Sequence, residues 1–133
     1  HLHVFNARGE LYLQKRPAWK DIQPGRWDTA VGGHADYGET IAEALRREVR
    51  EEVGVTDFEP QHVLTYLFES ERERELVYVY KTVYDGPVVP SGELDGGRFW
   101  TLREIAEGVG GGIFTPNFEG EIRRVAELPD VGR

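Results

Sequence analysis

Three glutamates, Glu48, Glu51 and Glu52, stand close together in a segment whose apolar residues recur every four positions. At a helical spacing of about 100° per residue, Ile41, Leu45, Val49 and Val53 form one apolar stripe. Arg46 and Arg50 fall outside it, toward solvent. The three glutamates fall together on the other flank, and Glu52 lies within the apolar arc itself. Acid-rich helices are most often plain solvated faces. A helix that needed only solubility, however, would not place a carboxylate at its buried edge, where it loses hydration and feels two like charges. A hard cation bound through oxygen ligands offsets both costs. Arg47, one turn before Glu51, is spaced to pair with it. The constellation is therefore a candidate site for a divalent metal.

The helix that must carry these residues is marked at both ends. Thr40 followed by Glu43 is a capping box, in which hydroxyl and carboxylate satisfy backbone donors at the helix start. Gly54 follows the last periodic residue, where a left-handed cap is common. Elsewhere, Leu2 to Phe5 and Glu10 to Lys15 read as strands around an Asn6–Gly9 turn, and Trp27 to Val31 as a short strand broken by Gly32-Gly33. Val63 to Phe68 and Leu76 to Val83 read as strands joined by the charged turn Glu69 to Glu75. Arg98 to Thr101 reads as a strand, Leu102 to Glu107 as a short helix and Phe118 to Leu128 as a closing amphipathic helix. Arg16 to Gly25 and Gly86 to Gly97 are loops. This mixture predicts one α/β domain over residues 1–133, with helices packed on a central mixed sheet.

Composition narrows the function. The net charge of −8 disfavours a nucleic-acid backbone as partner, since such binding rests on Lys and Arg neutralising phosphates. No run of eighteen or more apolar residues predicts a membrane span, and no basic-then-apolar opening predicts a secretion address. The chain opens at His1 without Met, which leaves an earlier targeting segment open. With no cysteine there is no disulfide, cysteine zinc site or cysteine nucleophile, which fits a cytoplasmic protein.

Gly33, Glu39 and the run Arg47-Glu48-Val49-Arg50-Glu51-Glu52-Val53-Gly54-Val55 match every defining position of the Nudix box. At ordinary residue usage such a match arises by chance less than about once in a million. The chain thus resembles the Nudix hydrolases. That resemblance implies an α/β/α sandwich with the box as a loop-helix-loop. It implies that Glu48, Glu51 and Glu52 hold Mg²⁺ or Mn²⁺, joined by the backbone carbonyl near Gly33 and with Glu39 supporting the loop or a further metal. Arg47 would orient the glutamates, so that Arg47, Glu48, Glu51 and Glu52 carry the catalysis. The general base it implies is Glu48 or a later glutamate, Glu69, Glu73 or Glu93. The expected reaction is metal-dependent cleavage of a phosphoanhydride bond in a nucleoside diphosphate derivative or similar small compound, by a monomer or homodimer. A bound cation would reconcile that substrate with the acidic chain.

Outside the box, Gln14-Lys15-Arg16, Pro24-Gly25-Arg26-Trp27-Asp28-Thr29, Gly32-Gly33-His34 and Phe114-Thr115-Pro116 resemble the subgroup related to isopentenyl diphosphate isomerase. The resemblance makes His34 the counterpart of a metal-binding histidine, His1 or His3 counterparts of others, and Glu73 and Glu75 counterparts of paired acids. The catalytic thiol of the isomerase corresponds to Gly32, which has no side chain. Isomerisation, or binding without catalysis, are the alternatives. Lys15, Arg16 and His34 are the candidate substrate contacts. Trp19 and Trp27 could stack on a base or belong to the core, and Tyr78 and Tyr80 are expected to divide between core and cleft.

Overall fold

A computed structural model describes residues 1–17, 25–72, 74–90 and 96–131. Pro24, Trp19, Glu73 and Glu93, all named above, lie outside the described residues. The elements run β1 (Leu2–Phe5), β2 (Leu11–Lys15), β3 (Trp27–Thr29), α1 (Ile41–Val53), β4 (Gln61–Glu69), β5 (Arg74–Val83), β6 (Gly97–Trp100), α2 (Leu102–Gly108) and α3 (Pro116–Val125).

The strands form one sheet in the order β3-β2-β1-β5-β4, with β6 also pairing β2. β1 runs parallel to β5, with Leu2 opposite Tyr80 and Val4 opposite Thr82, while the other pairings are antiparallel. The sheet is therefore mixed, as expected. The β1–β2 hairpin turns on Asn6, whose side-chain oxygen accepts from the backbone N–H of Arg8 and Glu10.

Alternation along β1 and β2 assigns the two faces. Leu2, Val4 and Tyr12 pack with Leu45, Val49 and Val53 of α1. Leu11 and Leu13 point the other way, to Ile105 of α2 and to Phe118 and Ile122 of α3. Helices thus cover both faces of the sheet. Each fully buried Leu or Phe contributes roughly 1.5–3 kcal/mol of apolar transfer, and this burial holds α1 at a fixed height on the sheet. Trp27 belongs to this second layer: its ring meets Trp100 edge-on at 5.2 Å, and it packs in the core rather than standing free to stack on a base. No helix among the described residues is long and apolar enough to cross a membrane.

Both ends of α1 close as the sequence indicates. Thr40 Oγ1 accepts from Glu43 N and Glu43 Oε1 accepts from Thr40 N. Gly54, at φ 69°, donates to Arg50 O. The closing helix differs from its expected span: it begins at Pro116, capped by Thr115, and ends at Val125. Proline at the first position suits a helix start because its missing N–H has no partner to lose there. Residues 126–128 leave the helix, while Ala126 and Leu128 still pack on the α2–α3 core.

The reciprocal Thr40–Glu43 cap yields a direct expectation. Thr40→Ala should lower stability by about 1 kcal/mol, read as a shifted midpoint in urea denaturation with an unchanged slope. An unshifted midpoint would show that tertiary packing alone sets the start of α1.

Candidate active site

The apolar stripe and the caps fix the rotation of α1, and with it the direction of its acidic flank. Ala44, Leu45, Val49 and Val53 are buried, while Ile41 is only half-buried. Arg46 and Arg50 are exposed, as expected from the spacing. Ala44, three residues after Ile41, was not part of the expected stripe, because so small a residue gives little periodic signal.

Arg47 is the hub of the acidic flank. Its Nε and Nη2 donate to the two oxygens of Glu39, at 2.8 and 3.0 Å. Its Nη1 donates to Glu48 Oε1 at 2.9 Å and to Glu51 Oε2 at 3.2 Å, the latter being the anticipated one-turn pair. Nη2 also donates to the His34 carbonyl at 3.0 Å and lies 3.3 Å from Asp36 Oδ2. One guanidinium therefore ties the helix to the whole Gly33–Glu39 loop, using the fixed fork that distinguishes Arg from Lys. The hydrogen bonds from Arg47, with one from the Asp36 backbone, hold the Glu39 carboxyl down at about 2. Glu39 is thereby held at the end of the loop by Arg47 and the Asp36 backbone N–H.

Gly33 explains why that loop can lie so close. A β-carbon there would collide with the Glu48 carboxylate, so only glycine lets the backbone pass over that side chain. Glu52 stands on the neighbouring side, half-buried, with Oε2 3.4 Å from the Gly32 backbone N–H. Burial, then repulsion from Glu48, Asp28 and Glu51, pushes its carboxyl up to about 7. This is the cost the sequence pattern implied for an acid in the apolar arc. Glu51 is exposed.

The three glutamates share a flank without converging. Among the described residues no group of three or more His, Asp or Glu is already arranged to hold a metal. Arg47 takes one oxygen each of Glu48 and Glu51, while the other Glu48 oxygen lies at Gly33 and Glu52 Oε2 at the Gly32 N–H. The carboxylates on this flank offer hard oxygens, which suit Mg²⁺ or Mn²⁺.

A cleft of about 160 Å³ opens beside this turn, lined by His1, Gly33, His34, Glu48, Tyr78 and Tyr80 among others. Both tyrosines are half-buried and reach it. The His34 ring is exposed, and its Nε2 lies 3.1 Å from Glu75 Oε2. Lys15 and Arg16 close β2, both half-buried, and Arg16 lies 3.8 Å from Asp28 Oδ2. Glu69 is exposed and pairs with Arg74 at 3.5 Å, away from the cleft lining.

Sequence reasoning missed Asp28 and Glu121. Asp28 Oδ1 accepts from the Thr115 hydroxyl at 2.9 Å, which joins the Trp27-Asp28-Thr29 and Phe114-Thr115-Pro116 segments in space. It also acts electrostatically on Glu52. Glu121 is only 2% exposed and accepts from both His1 and His3. Its signal was present: Phe118, Glu121, Ile122 and Val125 share one helical face, so it repeats the Glu52 pattern of an acid on an apolar arc.

A raised carboxyl pKa has a definite sign. Glu52 contributes fully to folding below the ordinary carboxylate range, and that contribution is lost as pH climbs through about 7. In chelator, Glu52→Gln should therefore melt higher than the parent at pH 8, with the advantage shrinking toward pH 5. Equal melting temperatures across that range would show that Glu52 ionises without cost.

Residues 1–118 match the model of the NUDIX domain family. An uncharacterized Nudix hydrolase of Pseudomonas aeruginosa is 34% identical over 97 residues, which cover 72% of this chain and 57% of that protein. Isopentenyl-diphosphate Delta-isomerase 1 of Photorhabdus laumondii is 27% identical over 120 residues, covering 80% of this chain and 68% of its own length. The crystal structure of DR0079 from Deinococcus radiodurans superposes with a TM-score of 0.79 at 24% identity, over 93% of this chain and 79% of that one. Because the chain spans only 57% of the Pseudomonas relative, what it shares with that protein is the domain. The family model, the box on α1 and the sheet with helices on both faces agree: the chain belongs to the Nudix family.

Proposed function

We propose that this chain is a Mg²⁺- or Mn²⁺-dependent hydrolase that cuts a phosphoanhydride bond in a nucleoside diphosphate derivative or a similar small diphosphate compound. We take residues 1–133 as one domain, working in the cytoplasm as a monomer or homodimer. One observation carries the reading: Glu48 and Glu52 flank a glycine turn that passes over the Glu48 carboxylate with no room for a β-carbon. That packing brings the Glu48 and Glu52 carboxylates beside the Gly32–Gly33 turn. Glu48, Glu51, Glu52 and the Gly33 carbonyl would hold the metal. When bound, such an ion acidifies water and neutralises charge on phosphate oxygens.

The chain's own groups supply the positioning. Arg47 keeps Glu48 and Glu51 in place and is itself held by Glu39, so the carboxylates need not reorganise far when a cation arrives. Glu48 lines the cleft and is the base that takes the proton of the attacking water. Lys15 and Arg16 at the end of β2 supply positive charge for the phosphates, with His34 at the cleft wall. The likeness to an isopentenyl-diphosphate isomerase does not extend to its chemistry, because the position of the thiol is Gly32 and the chain has no cysteine. Binding without catalysis is disfavoured by the intact set Glu48, Glu51 and Glu52.

Phosphate release from a panel of nucleoside diphosphate compounds should appear with Mg²⁺ or Mn²⁺ and vanish in EDTA. Glu52→Gln should fold and lose on the order of a hundredfold or more in rate, while Arg50→Gln, on the solvent side of α1, should change little. Incubation with isopentenyl diphosphate should yield no dimethylallyl isomer. Isomer formation without hydrolysis across the panel would overturn the proposal.

A further inference from the structure

The buried acid on α3 sets up a second charged centre beside the cleft. Glu121 accepts three hydrogen bonds: from His1 Nδ1 at 2.6 Å, from His3 Nε2 at 3.0 Å and from the Tyr66 hydroxyl at 2.6 Å. Burial works against its ionisation, yet the His1 and His3 bonds outweigh it and hold the carboxyl down at about 2. A buried carboxylate calls for a counter-charge, and the ion pairs Glu121 forms among the described residues are with histidines.

The two histidines differ in what their second nitrogen meets. His3 is fully buried, and among the described residues its Nδ1 has no hydrogen-bond partner. His1 instead keeps a 19% exposed side chain and reaches the cleft. With Nδ1–H fixed on Glu121, its Nε2 lies on the opposite edge of the ring. A β-carbon built on Gly32 would sit 3.6 Å from that Nε2, and His1 lines the same cleft as Gly33 and Glu48. The groups that act on the ring are Glu121 from α3, Asp28 from β3 and Glu75 from β5, all acidic. Burial alone would lower its pKa, but these acids raise it.

We propose that His1 is a substrate-facing donor: its ring, clamped through Nδ1 on Glu121, presents Nε2–H beside Gly32 to a phosphate oxygen of the diphosphate. Glu121 is the positioning residue, and it acts through His1. The inference rests on the phosphoanhydride reading above and adds one defined contact to it.

Ring-nitrogen NMR on the ¹⁵N-labelled chain tests it, with methylenediphosphonate and Mg²⁺ as the probe and Mg²⁺ alone as the control. The expected result is a doubly protonated His1 ring. On adding the probe, His1 Nε2 should shift together with the Gly33 amide. His1→Gln and Glu121→Gln, each checked for a dispersed amide spectrum, should weaken probe binding on the order of tenfold, as expected for one hydrogen bond to a charged group. If the Gly33 amide moves and His1 does not, the inference falls and the phosphate site stands. If neither moves, both fall. A His1 ring with a bare Nε2 at neutral pH also overturns it, as does unchanged affinity in both folded variants.

Discussion

The Arg47 guanidinium is the constraint on which the acidic flank depends. It donates to Glu39, Glu48, Glu51 and the His34 carbonyl, and it lies beside Asp36. Without it, four carboxylates on one helix flank and one loop would repel one another, and the loop from Gly33 to Glu39 would have no fixed distance from α1. With it, loop and helix form one unit. Most of these bonds are partly exposed, so their value lies in geometry more than in stability. The stability of α1 comes from the stripe of Leu45, Val49 and Val53 against Leu2, Val4 and Tyr12.

Two polar centres of opposite sense flank the cleft. Around Arg47 a single cation is shared by acids. Around Glu121 a single buried acid is shared by His1, His3 and Tyr66. Asp28 lies between them electrostatically, acting on both Glu52 and His1. It is held in turn by the Thr115 hydroxyl, at the N-cap of α3. The N-cap of α3 is thereby coupled to the charge on α1 through one short strand, β3.

What could be read from the sequence follows from how local each signal is. The ends of α1 were legible because Thr40, Glu43 and Gly54 act on neighbouring backbone groups. The direction of Glu52 was legible because helical geometry alone sets it. The Arg47–Glu51 pair lies one turn apart and was legible for the same reason. The role of Gly33 in accommodating Glu48 was not, since it depends on how a loop folds back over a helix. The pairing of His1 with Glu121 spans 120 positions and arises only when β1 and α3 meet across the sheet. Yet Glu121, on the same arc as Phe118 and Ile122, carried the same anomaly as Glu52. Trp27 was ambiguous because an aromatic in a short strand can face a cleft or a core, and only the neighbours Trp100 and Phe114 place it.

The central claim is the proposal that Glu48, Glu51, Glu52 and the Gly33 carbonyl would hold a cation within the Arg47 framework. Anomalous diffraction from a crystal of this chain soaked in Mn²⁺ addresses it directly. The account predicts an anomalous peak between Glu48, Glu52 and the Gly32–Gly33 turn, with Arg47 still bound to Glu39. A peak at His1 and Glu121 instead, or none at a Mn²⁺ concentration that supports turnover, would contradict it.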